Sequence, residues 1–260
     1  MRLWLLGSGS NGNAAVIEHG TTRVLIDAGF GPRVICARLA RIGIPPESIN
    51  ALVLTHEHID HVRGARALVH RFQWPLYATR GTHLQVRGFG GCVREIIEPP
   101  TPVLIDELMV EGWRVSHDAA EPVAYFITAR DTGERAVIAY DLGYVSSGLA
   151  AACGHVDILV IESNHDEGML RAGPYPPRLQ ARIAGPRGHL SNRAAGILMC
   201  EAAVRRTRSV VLAHISETNN TPDVALGNAR RTLNSAAFTG LLVAAPQEGV
   251  CGPVETQLRR

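Results

Sequence analysis

The stretch Ala51-Leu-Val-Leu-Thr-His-Glu-His-Ile-Asp-His-Val-Arg63 determines the fold. Residues 51–55 form a short apolar run, which predicts a buried strand. His56, His58, Asp60 and His61 follow within six positions. His56 and His58 point the same way in an extended segment, because side chains alternate with period two, whereas Asp60 and His61 lie beyond the bend. Nitrogen and carboxylate ligands without thiolate favour a catalytic zinc, manganese or iron centre over a structural zinc site.

The composition is that of a globular protein of 260 residues, with 46% hydrophobic residues and a formal net charge of +2. Without an internal repeat or a linker, a single domain over residues 1–260 is expected. All 26 positive residues are Arg, which we attribute to compositional bias. The five cysteines are scattered and lack a C-x-x-C pair, so reduced thiols are expected. No run is long enough for a signal peptide or a membrane span, and a cytoplasmic location is predicted.

Periodicity predicts alternating strands and helices along most of the chain. Residues 61–71 have helical spacing, and Ser191 is a good N-cap for a helix running to about residue 206. Residues 80–92 are expected to be irregular. The glycine-rich turn at residues 7–13 is interpreted either as a plain hairpin connection or as a phosphate-binding loop, with Ser10 and Asn13 as candidate phosphate contacts.

Several predicted strands end on a group that can bind a metal ion. These groups are Asp27, His56, His117, Asp141 and His214. An unpaired polar group at a buried strand end costs several kcal/mol, so convergence on one site is the simpler explanation. The set predicts two divalent ions, zinc or manganese with iron possible. The ligands would be His56, His58 and His117 for one ion and Asp60, His61 and His214 for the other, with Asp141 bridging. Asp27 is predicted to orient a ligand imidazole.

With these residues in place, the chain resembles the metallo-β-lactamase superfamily. The likeness rests on Asp27, the H-x-H-x-D-H stretch from His56 to His61, and then His117, Asp141 and His214 in that order. Further stretches are similar to the WalJ (also called YycJ) group of bacterial proteins. They are residues 6–13, 116–122, 140–144, 162–166, 187–192 and 212–220. The resemblance implies an α/β fold, an αββα sandwich of two mixed β-sheets flanked by helices. It also implies a metal-dependent DNase acting as a 5′-to-3′ exonuclease on double-stranded DNA.

The region around His214 is also similar to ribonuclease Z, and Gly188-His189-Leu190-Ser191 is similar to the His-Ser/Thr motif that presents a non-ligand histidine to the phosphate there. The expected reaction is attack on phosphorus by a metal-bridging hydroxide, with Asp60 and Asp141 orienting it and His189 holding the phosphate or protonating the leaving oxygen. The interval between Asp141 and His189 is too short for the inserted cap of the β-CASP nucleases, which disfavours an RNA substrate. The alternatives are a small ester or thioester hydrolase with the same dinuclear site, a metal-bound regulatory protein without turnover, and iron-based redox chemistry. The oligomeric state stays open.

Overall fold

A computed structural model of the chain describes residues 1–90, 92–203 and 206–256. Within these ranges the strands are β1 Arg2–Gly7, β2 Ala14–His19, β3 Thr22–Ile26, β4 Ala51–Val53, β5 Leu76–Ala78, β6 Arg94–Ile96, β7 Val103–Ile105, β8 Leu108–Arg114, β9 Val123–Ala129, β10 Arg135–Ala139, β11 Ile158–Glu162, β12 Ser209–Ala213, β13 Leu241–Ala244 and β14 Cys251–Glu255. The helices are α1 Pro32–Arg41, α2 Ile59–Val62, α3 Ala65–Phe72, α4 Arg80–Gln85, α5 Ser147–Cys153, α6 Glu167–Ala172, α7 Pro177–Ile183, α8 Asn192–Ala203 and α9 Pro222–Ser235. A short 3₁₀ turn spans Pro46–Ser48.

The described strands form two seven-stranded sheets, each of mixed direction. The first has the order β14-β1-β2-β3-β4-β5-β6, antiparallel up to β3 and parallel from β3 to β6. The second has the order β13-β12-β11-β10-β9-β8-β7, parallel from β13 to β10 and antiparallel from there on. Parallel strands that are buried on both faces need helices packed outside them. In this chain, α1 and α3 cover the first sheet, and α5, α8 and α9 cover the second.

The apolar side chains form three layers, which gives four layers of secondary structure. Successive side chains of β1 point to opposite faces of the first sheet. Leu3 and Leu5 pack in the core between the two sheets, whereas Trp4 and Leu6 pack in the core beneath α1 and α3. A third core packs the second sheet against α5, α8 and α9. The αββα sandwich with two mixed sheets is therefore confirmed. The core between the sheets draws residues from both halves of the chain, and the single domain over residues 1–260 stays a prediction.

Two predictions of local structure are wrong. The expected helix over residues 61–71 is broken into α2 and α3, because the Gly64 N–H donates to the Ala28 carbonyl at 2.8 Å and residue 64 packs against the Phe30 carbonyl. Part of the stretch expected to be irregular forms α4. Its N-cap residue Thr79 accepts a hydrogen bond from the backbone of Thr82.

The helix expected after Ser191 begins as predicted. Ser191 Oγ accepts a hydrogen bond from the Ala194 N–H at 3.2 Å, as an N-cap does. The described helix ends at Ala203, and residues 204 and 205 of the predicted extension lie outside the described residues. Among the helices that can be described, none has the length and apolar character needed to cross a bilayer.

Candidate metal centre

The predicted metal loop leaves the first sheet at the end of β4 and turns into α2. His56 is buried, and His58 occupies the N-cap position of α2 with extended backbone angles. Asp60 and His61 then lie within that helix. His56 and His58 thus precede the short helix, and Asp60 and His61 lie within it, so the two pairs are separated as the sequence pattern predicts.

His56, His58 and His117 come together as one group. Their ring centroids are 4.6 Å apart for His56 and His58, 5.2 Å for His56 and His117, and 5.0 Å for His58 and His117. One nitrogen from each imidazole lies within 4.8 Å of the others. Three imidazoles at this spacing match the ligand set of a catalytic zinc-type ion.

Asp60, His61 and His214 form a second group whose candidate ligand atoms also lie within 4.8 Å of one another. Asp60 Oδ2 is 3.4 Å from His61 Nε2 and 3.5 Å from His214 Nε2. His214 follows β12 of the second sheet, whereas the other two residues follow β4 of the first. The centre therefore lies where the two sheets meet.

Asp141 lies between the two groups. Its Oδ2 is 2.8 Å from His61 Nε2 and 4.0 Å from His56 Nε2, and its Oδ1 is 3.9 Å from His117 Nε2. The structure thus brings all seven predicted ligand side chains to one place. A carboxylate between two imidazole groups has the position that a bridging ligand needs.

The residues fit a pair of metal ions better than a set of internal hydrogen bonds. Among the described residues, His56 Nε2, His214 Nε2 and Asp141 Oδ2 are buried and make no hydrogen bond of acceptable geometry, although Asp141 Oδ2 lies 2.8 Å from His61 Nε2 and His214 Nε2 lies 3.5 Å from Asp60 Oδ2. Buried polar atoms are nearly always paired, so three unpaired atoms in one cluster indicate ligands for a cation. Nitrogen and carboxylate oxygen together suit divalent zinc, manganese or iron.

Asp27 lies behind the centre, where it contacts His61. Its Oδ2 is 2.7 Å from His61 Nδ1, and the carboxylate also accepts hydrogen bonds from the Thr55 backbone N–H and hydroxyl, each at 2.8 Å. With the Nδ1 proton held by Asp27, Nε2 of His61 is left to face the cluster.

Glu162 is a site residue that the sequence reasoning did not assign. It is fully buried at the end of β11. Its Oε1 is 2.8 Å from His189 Nδ1 and 3.0 Å from His214 Nδ1, and its Oε2 accepts from the backbone N–H groups of Leu142 and Leu190. The signal that could have found it is the one that found the ligands, an apolar strand ending in an ionisable residue.

His189 lies beside the two groups and is partly exposed. Its ring centroid is 5.2 Å from that of His117 and 5.1 Å from that of His214. Its Nδ1 is held by Glu162 and is 3.3 Å from Asp141 Oδ1. Although burial opposes it, the negative charge of Glu162 and the contact with Asp141 hold the pKa of His189 well above its ordinary value.

The charges of the cluster are strongly coupled. Burial and then the neighbouring His61 keep the pKa of His56 well below its ordinary value. Burial also opposes protonation of His61 and His214, but Asp27 and Asp141 hold the pKa of His61 well above its usual range, and Asp141 with Asp60 and Glu162 raises that of His214 to about 9. Metal ions would have to displace these protons, so affinity should depend on pH.

The glycine-rich turn contacts the centre through one of its two predicted phosphate contacts. Asn13 is fully buried, and its Nδ2 is 3.4 Å from Asp60 Oδ2 and 3.1 Å from His61 Nε2. Its Oδ1 accepts from the Ser8 hydroxyl and the Gly9 N–H, each at 3.0 Å. Ser10 is exposed at the tip of the turn. Asn13 thus contacts the ligand shell, and the role of either residue toward a phosphate stays a prediction.

Asp27, Asp141 and His214 share an uncommon backbone conformation. Their φ angles are 59°, 58° and 50°, in the left-handed region that Asp tolerates and most other side chains avoid. Each follows the end of a strand, so the chain turns sharply as it leaves the sheet. Such conformations cluster at functional sites, where the surrounding structure maintains them.

Comparison with known proteins agrees with this geometry. Residues 7–127 match the family model of the metallo-β-lactamase superfamily. The chain is 34% identical over 227 residues to the exodeoxyribonuclease WalJ of Streptococcus pneumoniae, covering 85% of this chain and 84% of the relative. It is 29% identical over 238 residues to the exodeoxyribonuclease YycJ of Bacillus anthracis, covering 90% and 89%.

A solved structure with the same fold is Zn²⁺-bound PqqB from Methylobacterium extorquens. It superposes with a TM-score of 0.73 at 19% identity, covering 97% of this chain and all of the other. This likeness concerns the fold alone. The sequence relatives, the family match and the convergent side chains together establish that the chain belongs to the metallo-β-lactamase superfamily and, within it, to the WalJ and YycJ group.

Proposed function

We propose that the chain is a metal-dependent exodeoxyribonuclease that hydrolyses phosphodiester bonds of double-stranded DNA from the 5′ end. The relatives named exodeoxyribonucleases span most of this chain and support a DNA substrate. The observation that carries the proposal is the position of His189, which Glu162 fastens beside the seven predicted ligands. The polarity, the preference for duplex and the cytoplasmic location rest on the sequence and its resemblance.

The seven predicted ligands, which include His56 and His214, would hold two divalent cations. Zinc or manganese is expected, and iron is the third candidate. When bound, such ions polarise phosphate oxygens and lower the pKa of water toward neutrality. Asp60 is ionised in the cluster, since although burial opposes this, His61 and His214 hold the pKa of its carboxyl far below the usual range. It is placed both to bind a cation and to orient the attacking water.

His189 supplies the proton that the departing oxygen requires. Its Nδ1–H donates to Glu162, and although burial opposes it, the charge of Glu162 raises the pKa of His189 and so favours the protonated ring. As the oxygen of water joins phosphorus, the P–O3′ bond breaks and the proton of His189 passes to O3′. The hydrolysis of a thioester assigns no comparable task to this histidine, which is why we rank the small-molecule alternative second.

The test compares duplex DNA, single-stranded DNA, RNA and a generic thioester with Mn²⁺, Zn²⁺ or Fe²⁺. We expect mononucleotides from duplex DNA. A 5′ label should appear at once in a mononucleotide, whereas a 3′ label should remain in a series of shortening strands. The Asp60→Ala and His61→Ala variants should be inactive. Intact nucleic acid together with a cleaved thioester would overturn the proposal, and the opposite labelling pattern would overturn its polarity.

A further inference from the structure

A cavity of about 210 Å³ opens beside His189. Its other lining residues are Asp118, Tyr175, Leu179, Arg182, Ile183 and Gly188. We propose that this cavity is a subsite for the nucleobase of the terminal nucleotide, the one whose O3′ departs. The inference rests on the proposed function and specifies which part of the substrate this side of the site recognises.

The walls of the cavity have the chemistry that a base requires. Leu179 and Ile183 lie four residues apart on α7 and are both half-buried, so one face of this helix gives an apolar wall. Tyr175 is also half-buried, and its hydroxyl donates to Thr218 Oγ1 at 3.2 Å. Stacking on an aromatic ring accepts any base, as a nuclease without sequence preference needs.

The cavity and His189 are joined rigidly. The His189 N–H donates to the Ile183 carbonyl at 2.8 Å. Gly188 packs so closely on the end of α7 that a β-carbon there would lie 2.1 Å from the same carbonyl oxygen. A base against Leu179 and Ile183 would therefore hold its sugar at a constant distance from the imidazole that protonates O3′.

The cavity has room for a single base. A volume of 210 Å³ corresponds to about seven water molecules, which is room for one base and too little for a base pair. At its rim, Arg182 donates two hydrogen bonds to Asp118 Oδ2, at 2.9 and 2.6 Å from Nε and Nη2. The charges of Arg182 and Asp118 therefore offset each other, which suits a neutral base. Occupation by one base requires that the terminal base pair be opened.

The experiment uses duplexes that end in a normal 5′ nucleotide or in an abasic one, with bis(p-nitrophenyl) phosphate as a diester without a base. For the wild-type protein we expect kcat/KM to be about tenfold lower on the abasic end. Tyr175→Ala should lower kcat/KM on the normal end by about tenfold. Its kcat/KM on the abasic duplex and on bis(p-nitrophenyl) phosphate should equal that of the wild-type protein. Tyr175→Phe, which keeps the ring, is the matched control, and Leu179→Asp is a second variant of the wall.

Calorimetric binding of thymidine 3′-monophosphate and of its baseless analogue 1,2-dideoxyribose 3-phosphate to the metal-loaded protein tests the subsite separately from the nuclease. The nucleotide should bind about tenfold more tightly, and Tyr175→Ala and Leu179→Asp should remove that difference. Equal binding of the two ligands, or equal losses on normal and abasic ends in the variants, would overturn the subsite. Absence of DNA cleavage by the wild-type protein, with the difference in binding retained, would instead count against the proposed function alone.

Discussion

The carboxylate of Glu162 accepts a hydrogen bond from Nδ1 of His189 at 2.8 Å and also binds Nδ1 of His214 at 3.0 Å. One buried residue thus orients both a predicted metal ligand and the predicted proton donor. Because the two backbone N–H groups of Leu142 and Leu190 fix its other oxygen, the carboxylate has little freedom to move.

Replacement of the charged Glu162 carboxylate should slow the protonation of the leaving oxygen. We expect Glu162→Gln to lower kcat on duplex DNA at least tenfold, since general acid catalysis contributes about 10²–10⁴-fold. His189→Ala should slow turnover similarly and leave metal content intact. The measurement is steady-state hydrolysis with metal analysis of each purified protein, and Glu167→Gln, a half-exposed glutamate, is the control.

A substrate with sulfur at the bridging 3′ position separates this role from a general loss of structure. Sulfur departs without needing a proton, so both variants should recover most of the lost rate on it. Equal losses on the oxygen and sulfur substrates would contradict a role in proton transfer.

Asp27 should control metal affinity through the orientation of His61. Asp27→Asn keeps a residue that tolerates the observed φ of 59°, but it removes the charge that holds the Nδ1 proton. We expect a loss of about 10- to 100-fold in metal affinity, as for other residues that orient ligand histidines. Titration calorimetry measures it. Asp106→Asn is the matched control, because Asp106 has a φ of 48° and is exposed. Unchanged affinity in Asp27→Asn would contradict the assignment.

Removal of metal should destabilise the folded protein. Ions present at about a thousand times their dissociation constant contribute about 4 kcal/mol, which for a chain of this length corresponds to a fall in Tm on the order of 10 °C. Scanning calorimetry with and without a chelator measures this change. The His61→Ala variant should show a smaller shift, and an identical Tm in both buffers would argue against resident ions.

Cys153 should make the stability of the protein fall at alkaline pH. Burial raises the pKa of its thiol to about 12, whereas an unfolded cysteine ionises near ~8.5. The unfolded state therefore binds fewer protons above that pH, and the free energy of unfolding should decrease by about 1.4 kcal/mol per pH unit between the two values.

Urea unfolding between pH 8 and 10 measures this slope. Cys153→Ala is less stable throughout, because it leaves a cavity, but its decrease with pH should be shallower than that of the wild-type protein. Parallel slopes would show that other groups cause the alkaline loss. Iodoacetamide at pH 8 should label Cys153 only after denaturation.

The side chains that the sequence singles out as ligands meet in the folded chain, and they could be found because they obey a rule that acts locally. His117, Asp141 and His214 each follow an apolar run, and burial of an ionisable group at such a point needs a partner. Glu162 obeys the same rule at the end of β11, but its role depends on His189 and His214, which only the folded chain brings near. The cavity beside His189 was beyond prediction for the same reason, since α7 forms its wall.

The local errors also have tertiary causes. α4 contains Gly81 and the β-branched Thr82, which are poor helix formers. The Gly81 N–H donates to Glu121 at 2.9 Å, and the Thr79 hydroxyl donates to the Glu121 carbonyl at 2.8 Å. Both contacts are made by Glu121, about forty positions further along the chain. The hydrophobic periodicity of residues 80–85 therefore could not predict this helix.

The predicted ligands are divided between two sheets, and this determines when during synthesis the metal centre can be completed. His56, His58, Asp60 and His61 emerge together in synthesis, but His214 follows β12 and is made much later. A ribosome-bound fragment lacks one member of the second predicted ligand group until that strand has been made and has paired with β11. A fragment that ends before β12 should therefore be inactive as a nuclease, because it lacks one of the predicted ligands.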